Sequence, residues 1–335
     1  MDTGSVDGSI AVAEASGARV SHRAWTDDFS AARNAALDQA TGDWILYIDA
    51  DERLAPTSRA AVEHLLTSGR EVAFRVLFRP VVGATPYREF RLWRNDPAIR
   101  FCNVIHETVI PAITAVGERD DRPIGVTDVV LLEHVGYEGE QTRKHLRNLP
   151  LLRRQVVLTP ENLFVWHHLA RVLRGLGFDA EAERALVSAV EVARAKPGVD
   201  PLGVLAYSDL IAVHMEAGRP VRPLLAEARG RYPDNWVLAG LEGRLLIDEE
   251  RYEEAVALFE RIAAVRVGEL PDFGPSYDQR IFGELAHHHR AIGLFRLGRY
   301  EEAAAAWGEA ERLAADPEAG YRARRQLAEA RARVS

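Results

Sequence analysis

Among 335 residues there is one cysteine, Cys102. A single thiol excludes an internal disulfide and a four-cysteine zinc site, and it suits a reducing, cytoplasmic compartment. Its neighbours Phe101 and Asn103 suggest a small core side chain rather than a nucleophile. No run of about 18 apolar residues is present, so no membrane span is expected. The first basic residue is Arg19, after Asp2 and Asp7, which is the wrong charge order for a secretory signal. Lys and Arg form no long block and the net charge is −8, which argues against duplex nucleic acid as a main partner. What is there is globular: 47% hydrophobic and 27% charged side chains, over a length that suggests two domains.

The first ~140 residues read as α/β. Residues 9–17 (SIAVAEASG) form a short helix stopped by Gly17, and 18–25 (ARVSHRAW) a short strand. Residues 27–42 predict a helix that starts at the Asp28 carboxylate and stops at Gly42. The near-continuous apolar run Trp44 to Ile48 suits a central strand buried on both faces. A helix follows, with proline near its start and Gly69 after it. Residues 71–82 and 87–96 read as two more strands. The stretches VIHETVI and GVTDVVLLEHVGY then each place a histidine, His106 and His134, at or near a strand end.

From Pro160 onward strand signals nearly vanish. Four segments repeat one plan, an apolar helix, a turn and an alanine-rich helix, with turns at Gly177-Phe178, Gly218-Arg219, Arg251-Tyr252 and Gly298-Arg299-Tyr300. The middle spacing approaches the ~34-residue tetratricopeptide period. Trp166, Ala170, Gly177, Phe178 and Ala185 fall where that family places packing residues, while Pro220 and Pro223 make the second repeat degenerate. Repeats of this kind stack into a superhelix that can receive an extended peptide or protein. The expected division is an α/β domain at 1–140, a connecting helix at 141–159 and helical repeats at 160–335.

The chemistry concentrates in YIDADERL. Asp49 and Asp51 at a strand terminus can share a hard divalent cation that also bridges a diphosphate, provided the strand breaks into a loop there. Glu52, their neighbour, either joins this acid set or is only a solvated loop acid. Arg91 and Arg94 either contact phosphate or pair with Glu89 and Asp96. The three consecutive histidines His287 to His289 point about 100° apart on a helix and cannot share one metal, so packing between repeats is the better reading, as it is for Trp166, Trp236 and Trp307.

Taken in order, DTGSVDGS, WTDDFSAARNAAL and GDWILYIDADERL resemble a family 2 nucleotide-sugar glycosyltransferase with the GT-A, Rossmann-like fold. The downstream RLWRNDPAIRF, VIHETV, LLEHVGY and KHLRN resemble the branch of that family fused to C-terminal tetratricopeptide repeats. In such proteins a first strand, a KNE-like motif and a helix precede DTGS; the sequence given begins at that motif, so the catalytic domain is expected to be incomplete at its N-terminus. The resemblance implies a role for each matching residue. Asp2 contacts the donor nucleobase. Arg33 and Asn34 line the donor site, with Arg33 facing phosphate or paired with Asp27 or Asp28. Asp49 lies near ribose and metal, Asp51 is the main metal ligand, and His134 is a third ligand that favours Mn²⁺ over Mg²⁺. Glu107 is the catalytic base, with His106 orienting the acceptor or acting as base itself. The implied activity is metal-dependent, inverting transfer from a nucleoside-diphosphate sugar, with UDP the first candidate, to a peptide, glycan or small molecule. The alternative is a non-catalytic peptide-binding repeat scaffold carrying an inactive, truncated domain.

Overall fold

The structure is a computed structural model, and residues 1–80, 83–135, 141–272, 274–316 and 319–334 of it are described here. Gly136 and Tyr137 of the LLEHVGY motif lie outside these residues. The chain divides into two compact units, Met1–Val81 with Pro86–Ala182, and Val82–Thr85 with Glu183–Ser335.

The first unit opens with α1 (Ser9–Ala15), followed by Gly17 at φ +83°. The strand expected over 18–25 is reduced to one parallel bridge between Asp2 and His22, held by Asp2 N–H to Ser21 O (2.7 Å) and Arg23 N–H to Asp2 O (2.9 Å). The polar Ser21, His22 and Arg23 offer little pleated surface to pack, so pairing stops there. Helix α2 (Phe29–Leu37) begins where expected, with the Asp28 carboxylate accepting from Ala31 N–H. It ends at Leu37, well short of Gly42, in a tighter turn closed by Ala40 N–H to Leu37 O.

Strands β1 (Trp44–Leu46), β2 (Glu52–Leu54), β3 (Ala73–Arg79), β4 (Tyr87–Arg94) and β5 (Ile124–His134) form one sheet in the order β1-β4-β3-β5-β2. The β3–β5 pair is parallel and the other three pairs are antiparallel. Thus β1 is terminal rather than central, and it is three residues long. Its apolar run has another cause: Ile45 and Tyr47 pack on the core of Val72, Trp93 and Ile99, while Trp44 packs on the core of Phe74, Val76 and Leu132 across the sheet. Leu46 and Ile48 stay exposed. Helix α3 (Arg59–Ser68), capped by Ser58, joins β2 to β3 as the sequence suggests. No strand forms at 104–110. Asn103 (φ +76°) and His106 (φ +52°) take left-handed backbone that a strand cannot accommodate, and only a Cys102–Thr108 bridge remains before α4 (Ile110–Arg119). Cys102 is exposed there rather than a core residue. Helices α5 (Gln141–Leu158) and α6 (Leu163–Gly175) complete the regular part of this unit, and Asn162 caps α6.

The division between units falls within α7 (Asp179–Ala195). Helical hairpins follow: α8 (Gly203–Glu216) with α9 (Arg222–Arg231), α10 (Trp236–Asp248) with α11 (Tyr252–Ala263), and α12 (Glu284–Arg296) with α13 (Tyr300–Leu313), then α14 (Tyr321–Ala332). Successive helices pack through alanine and glycine. A Cβ on Gly243 would sit 2.6 Å from the Phe259 ring, so α10 and α11 need that glycine to approach. The histidine row on α12 is packing, as the spacing argued. His288 accepts from the Trp307 indole (3.1 Å), and His289 stacks on Phe259 at 5.0 Å. Among the described residues no helix is long and apolar enough to cross a membrane.

Candidate active site

Tyr47 leaves β1 with one further ladder bond, Tyr47 N–H to Arg91 O (2.8 Å). The chain then turns. Glu52 N–H donates to Asp49 O (3.0 Å), and the Glu52 carboxylate accepts from Asp49 N–H (2.8 Å), so side chain and main chain close the same turn. The strand therefore breaks at the acid pair. Glu52 is not a solvated loop acid. Its side chain is 3% exposed and takes the Arg91 guanidinium at 2.8 Å. Burial raises its carboxyl above the usual range, opposed by the Asp49 amide and Arg91. Arg91 also holds Glu89 (2.6 Å) and Asp49 (3.3 Å), so the ion-pair reading applies to it, with two partners more than expected. Arg94 instead donates to the carbonyls of Glu71 (2.8 Å) and Gly69 (3.1 Å), and Asp96 takes Arg119.

The Tyr47 hydroxyl donates its one proton to the Asp49 carboxylate, 2.7 and 2.6 Å from its two oxygens, and Arg33 donates to it at 3.1 Å. Burial acts to raise its carboxyl, and Tyr47, Arg33 and Arg91 overcome that and leave it below the usual range. Both guanidiniums, Arg33 and Arg91, lie 4.4 Å from the centre of the Tyr47 ring. The second arm of Arg33 goes to Glu107, not to Asp27 or Asp28. Those two are committed elsewhere, Asp28 to the α2 cap and Asp27 to the Trp25 indole (2.8 Å). Asn34, one residue on, fastens Phe101 by both N–H and C=O (2.8 and 2.9 Å).

The loop that carries His106 and Glu107 is clamped from three helices. From α2, Phe29 N–H donates to Val104 O (2.9 Å) and Ser30 Oγ to Asn103 O (2.6 Å). From α5, Gln155, 1% exposed, accepts from Val104 N–H (2.7 Å) and donates to Asn103 Oδ1 (3.1 Å). From α6, His168 stacks on His106 at 3.9 Å, with Phe164 edge-on to His106 at 5.3 Å. Burial, with His167, Lys144 and Arg171 nearby, pushes His106 down to about 4; burial, with His106, His167, Arg171 and Lys144, pushes His168 down to about 2. Both are neutral imidazoles at pH 7.

Asp51 and His134 come together where β2 ends its pairing with β5: Asp51 Oδ2 lies 3.1 Å from His134 Nε2 and both are part-exposed. Asp49 turns away toward Tyr47 and the arginines, and among the described residues no three His, Cys, Asp or Glu side chains form a metal-holding group. One oxygen and one imidazole nitrogen suit a divalent ion that takes its remaining ligands from phosphate and water. Asp2 stands apart from these residues. The Ser5 hydroxyl, then the N–H groups of Gly4 (3.0 Å) and Ser5 (3.1 Å), lower its carboxylate to about 2.

The first unit is thus an α/β sheet whose strand ends gather acids, arginines and an Asp–His pair, and paired helices follow it along the chain. Residues 1–114 match the family model "Glycosyl transferase family 2". A TPR repeat-containing protein of Synechococcus elongatus is 35% identical over 207 residues, 59% of this chain and 51% of its own length. The glycosyltransferase SunS of Bacillus subtilis is 24% identical over 170 residues, 49% of this chain and 39% of its own. The chain thus spans about half or less of the curated relatives it matches. Among solved structures, the Cut9–Hcn1 hetero-tetramer matches with a TM-score of 0.46 at 15% identity over 56% of this chain and 34% of that one. Residues 1–114 thus match a family 2 glycosyltransferase domain, and the chain is similar over 59% of its length to a repeat protein.

Proposed function

We propose that the first unit transfers a glycosyl group, with inversion, from a nucleoside-diphosphate sugar, UDP first, to a nucleophilic acceptor, and that the repeats hold acceptor or partner. The observation that carries this is Arg33, which joins the donor-side Asp49 to Glu107 through its two arms. A carboxylate so fixed has one orientation from which to accept a proton. In the step, Glu107 takes the acceptor proton as the acceptor atom attacks the anomeric carbon. The bond from that carbon to the diphosphate oxygen breaks, and its electron pair leaves on the diphosphate. Asp2 faces the nucleobase and Asp49 the ribose.

Charge favours metal dependence. Two arginines, Arg33 and Arg91, meet four carboxylates, Asp49, Glu52, Glu89 and Glu107, so the cluster repels a diphosphate unless a cation accompanies it. Asp51 and His134 would hold that cation, Mn²⁺ before Mg²⁺, and it would offset charge on the leaving diphosphate. The test is hydrolysis and transfer of UDP-sugars with and without Mn²⁺. Asp51→Ala is expected to abolish the metal-dependent rate, and Glu107→Gln to lower transfer about 10²- to 10⁴-fold. Unchanged turnover in Asp51→Ala removes the metal assignment.

A further inference from the structure

Residues 141–175, which make α5 and α6, hold seven Lys and Arg side chains and one carboxylate, Glu161, in a chain of net charge −8. Three of the seven are engaged: Arg153 with Glu181 (2.8 Å), Arg147 over the Phe29 ring (5.3 Å), and Arg174. Arg143, Lys144, Arg154 and Arg171 are exposed, and among the described residues none has a carboxylate within ion-pair distance. Such a concentration of one sign against the charge of the whole chain sets up a local attractive potential for anions.

The placement ties this face to the chemistry. Helix α5 grips the Glu107 loop through Gln155, and α6 grips it through His168. The field of Lys144 and Arg171 reaches both imidazoles of that grip, adding to the burial that keeps them neutral. The extent of the face indicates what it fits. Arg143, Arg147 and Arg154 share one side of α5 at i, i+4 and i+11, a span of about 16 Å, longer than one phosphate or one sugar ring. Leu146 and Val157 of α5 and Phe164 of α6 are exposed on the same two helices. Spaced cations interleaved with apolar side chains match a string of carboxylates on a polypeptide rather than a single phosphate.

We propose that the acceptor is an acidic polypeptide segment lying along α5 and α6, its carboxylates facing Arg143, Arg147 and Arg154 and, nearer the loop, Lys144 and Arg171, with one of its side chains reaching Glu107. The acceptor role rests on the glycosyl-transfer reading; the binding does not. The test uses fluorescence anisotropy of a labelled peptide of about 12 residues alternating Glu and Ser, beside a Gln–Ser twin, at about 0.15 M salt. The Glu peptide is expected to bind about tenfold or more tighter than its twin. Lys144→Glu with Arg171→Glu is expected to remove that preference while the thermal midpoint stays at the wild-type value, since both side chains are exposed. Equal binding of the two peptides, or an unchanged preference in the double variant, overturns the proposal. So does binding of phosphatidylglycerol vesicles through the same two residues without a peptide preference, which would make the face a membrane contact. If the Glu peptide binds as expected and no UDP-sugar is hydrolysed, the glycosyl-transfer reading falls and takes the acceptor role with it. Sugar hydrolysis without peptide preference removes the peptide alone.

Discussion

The Arg91 guanidinium serves Glu52, Glu89 and Asp49 at once, and its side chain is 8% exposed. Removing one partner from a buried ionic group leaves the others uncompensated, which is costlier than the pairs were favourable. Arg91→Met is therefore expected to destabilise the first unit by about 3–5 kcal/mol, read by urea denaturation; a loss under about 1 kcal/mol would show that water screens the cluster. Glu52 was not legible as part of it. In sequence it is one more acid after a DxD pair, and its burial arises because the turn folds it back onto strand β4. The imidazole stack was equally hidden, because His106 and His168 are 62 residues apart and nothing in the chain announces that α6 returns to that loop. Its consequence is a pH dependence. His106 is held at about 4 and His168 at about 2, against about 6.5 in an unfolded chain. Between pH 6.5 and 4 the unfolded chain binds protons that the folded one refuses, so stability rises with pH across that window and is lost as pH falls through it. His168→Phe keeps an aromatic partner for His106 but removes one titration. Near pH 5 its stability is expected to change by about 1.4 kcal/mol less per pH unit than that of the wild type. Equal slopes would mean that His168 is protonated in the fold.

At the level of elements, the helical repeats were the most legible part, because their period shows in the apolar pattern and their turns are marked by glycine. Gly177, Gly218 and Gly298 each take positive φ (+80°, +65° and +76°) at a hairpin turn. In the α10–α11 hairpin the same left-handed position is held by Glu250, φ +60°. A side chain there meets the steric cost that glycine avoids, in excess of the entropy that glycine loses on folding. Glu250→Gly is expected to raise stability by about 0.5–1 kcal/mol in chemical denaturation; destabilisation would show that the Glu250 side chain makes a favourable contact. The sheet was less legible. An apolar run reads as a central strand because both its faces are covered, yet β1 obtains that cover at the sheet's end, from two separate cores. The loop at 103–107 failed as a strand for a reason no propensity shows. Asn103 and His106 occupy left-handed backbone only because Gln155, Ser30 and His168 hold them there.

For the whole molecule the proposed transfer links donor binding to folding. The cluster around Arg33 and Arg91 carries more carboxylates than guanidiniums, and Asp51 and His134 pair with each other at 3.1 Å. Nucleotide alone should therefore bind weakly, and metal alone should find only two protein ligands. Under the proposed metal-dependent transfer each would supply what the other lacks, since a diphosphate would add ligands to the metal and the metal would offset the diphosphate charge. Ligand that binds only the folded state stabilises it by RT ln(1 + [L]/Kd), about 2.7 kcal/mol at a hundredfold excess over Kd. UDP with Mn²⁺ is thus expected to raise the thermal midpoint by several degrees, more than the sum of the shifts from UDP and Mn²⁺ singly. Chelation should return it to the unliganded value, and Asp51→Ala should leave only the small separate shifts. Additive shifts in the wild type would mean that nucleotide and metal bind independently, and the Asp51–His134 pair would then be an ordinary surface ion pair rather than the place where a diphosphate is received.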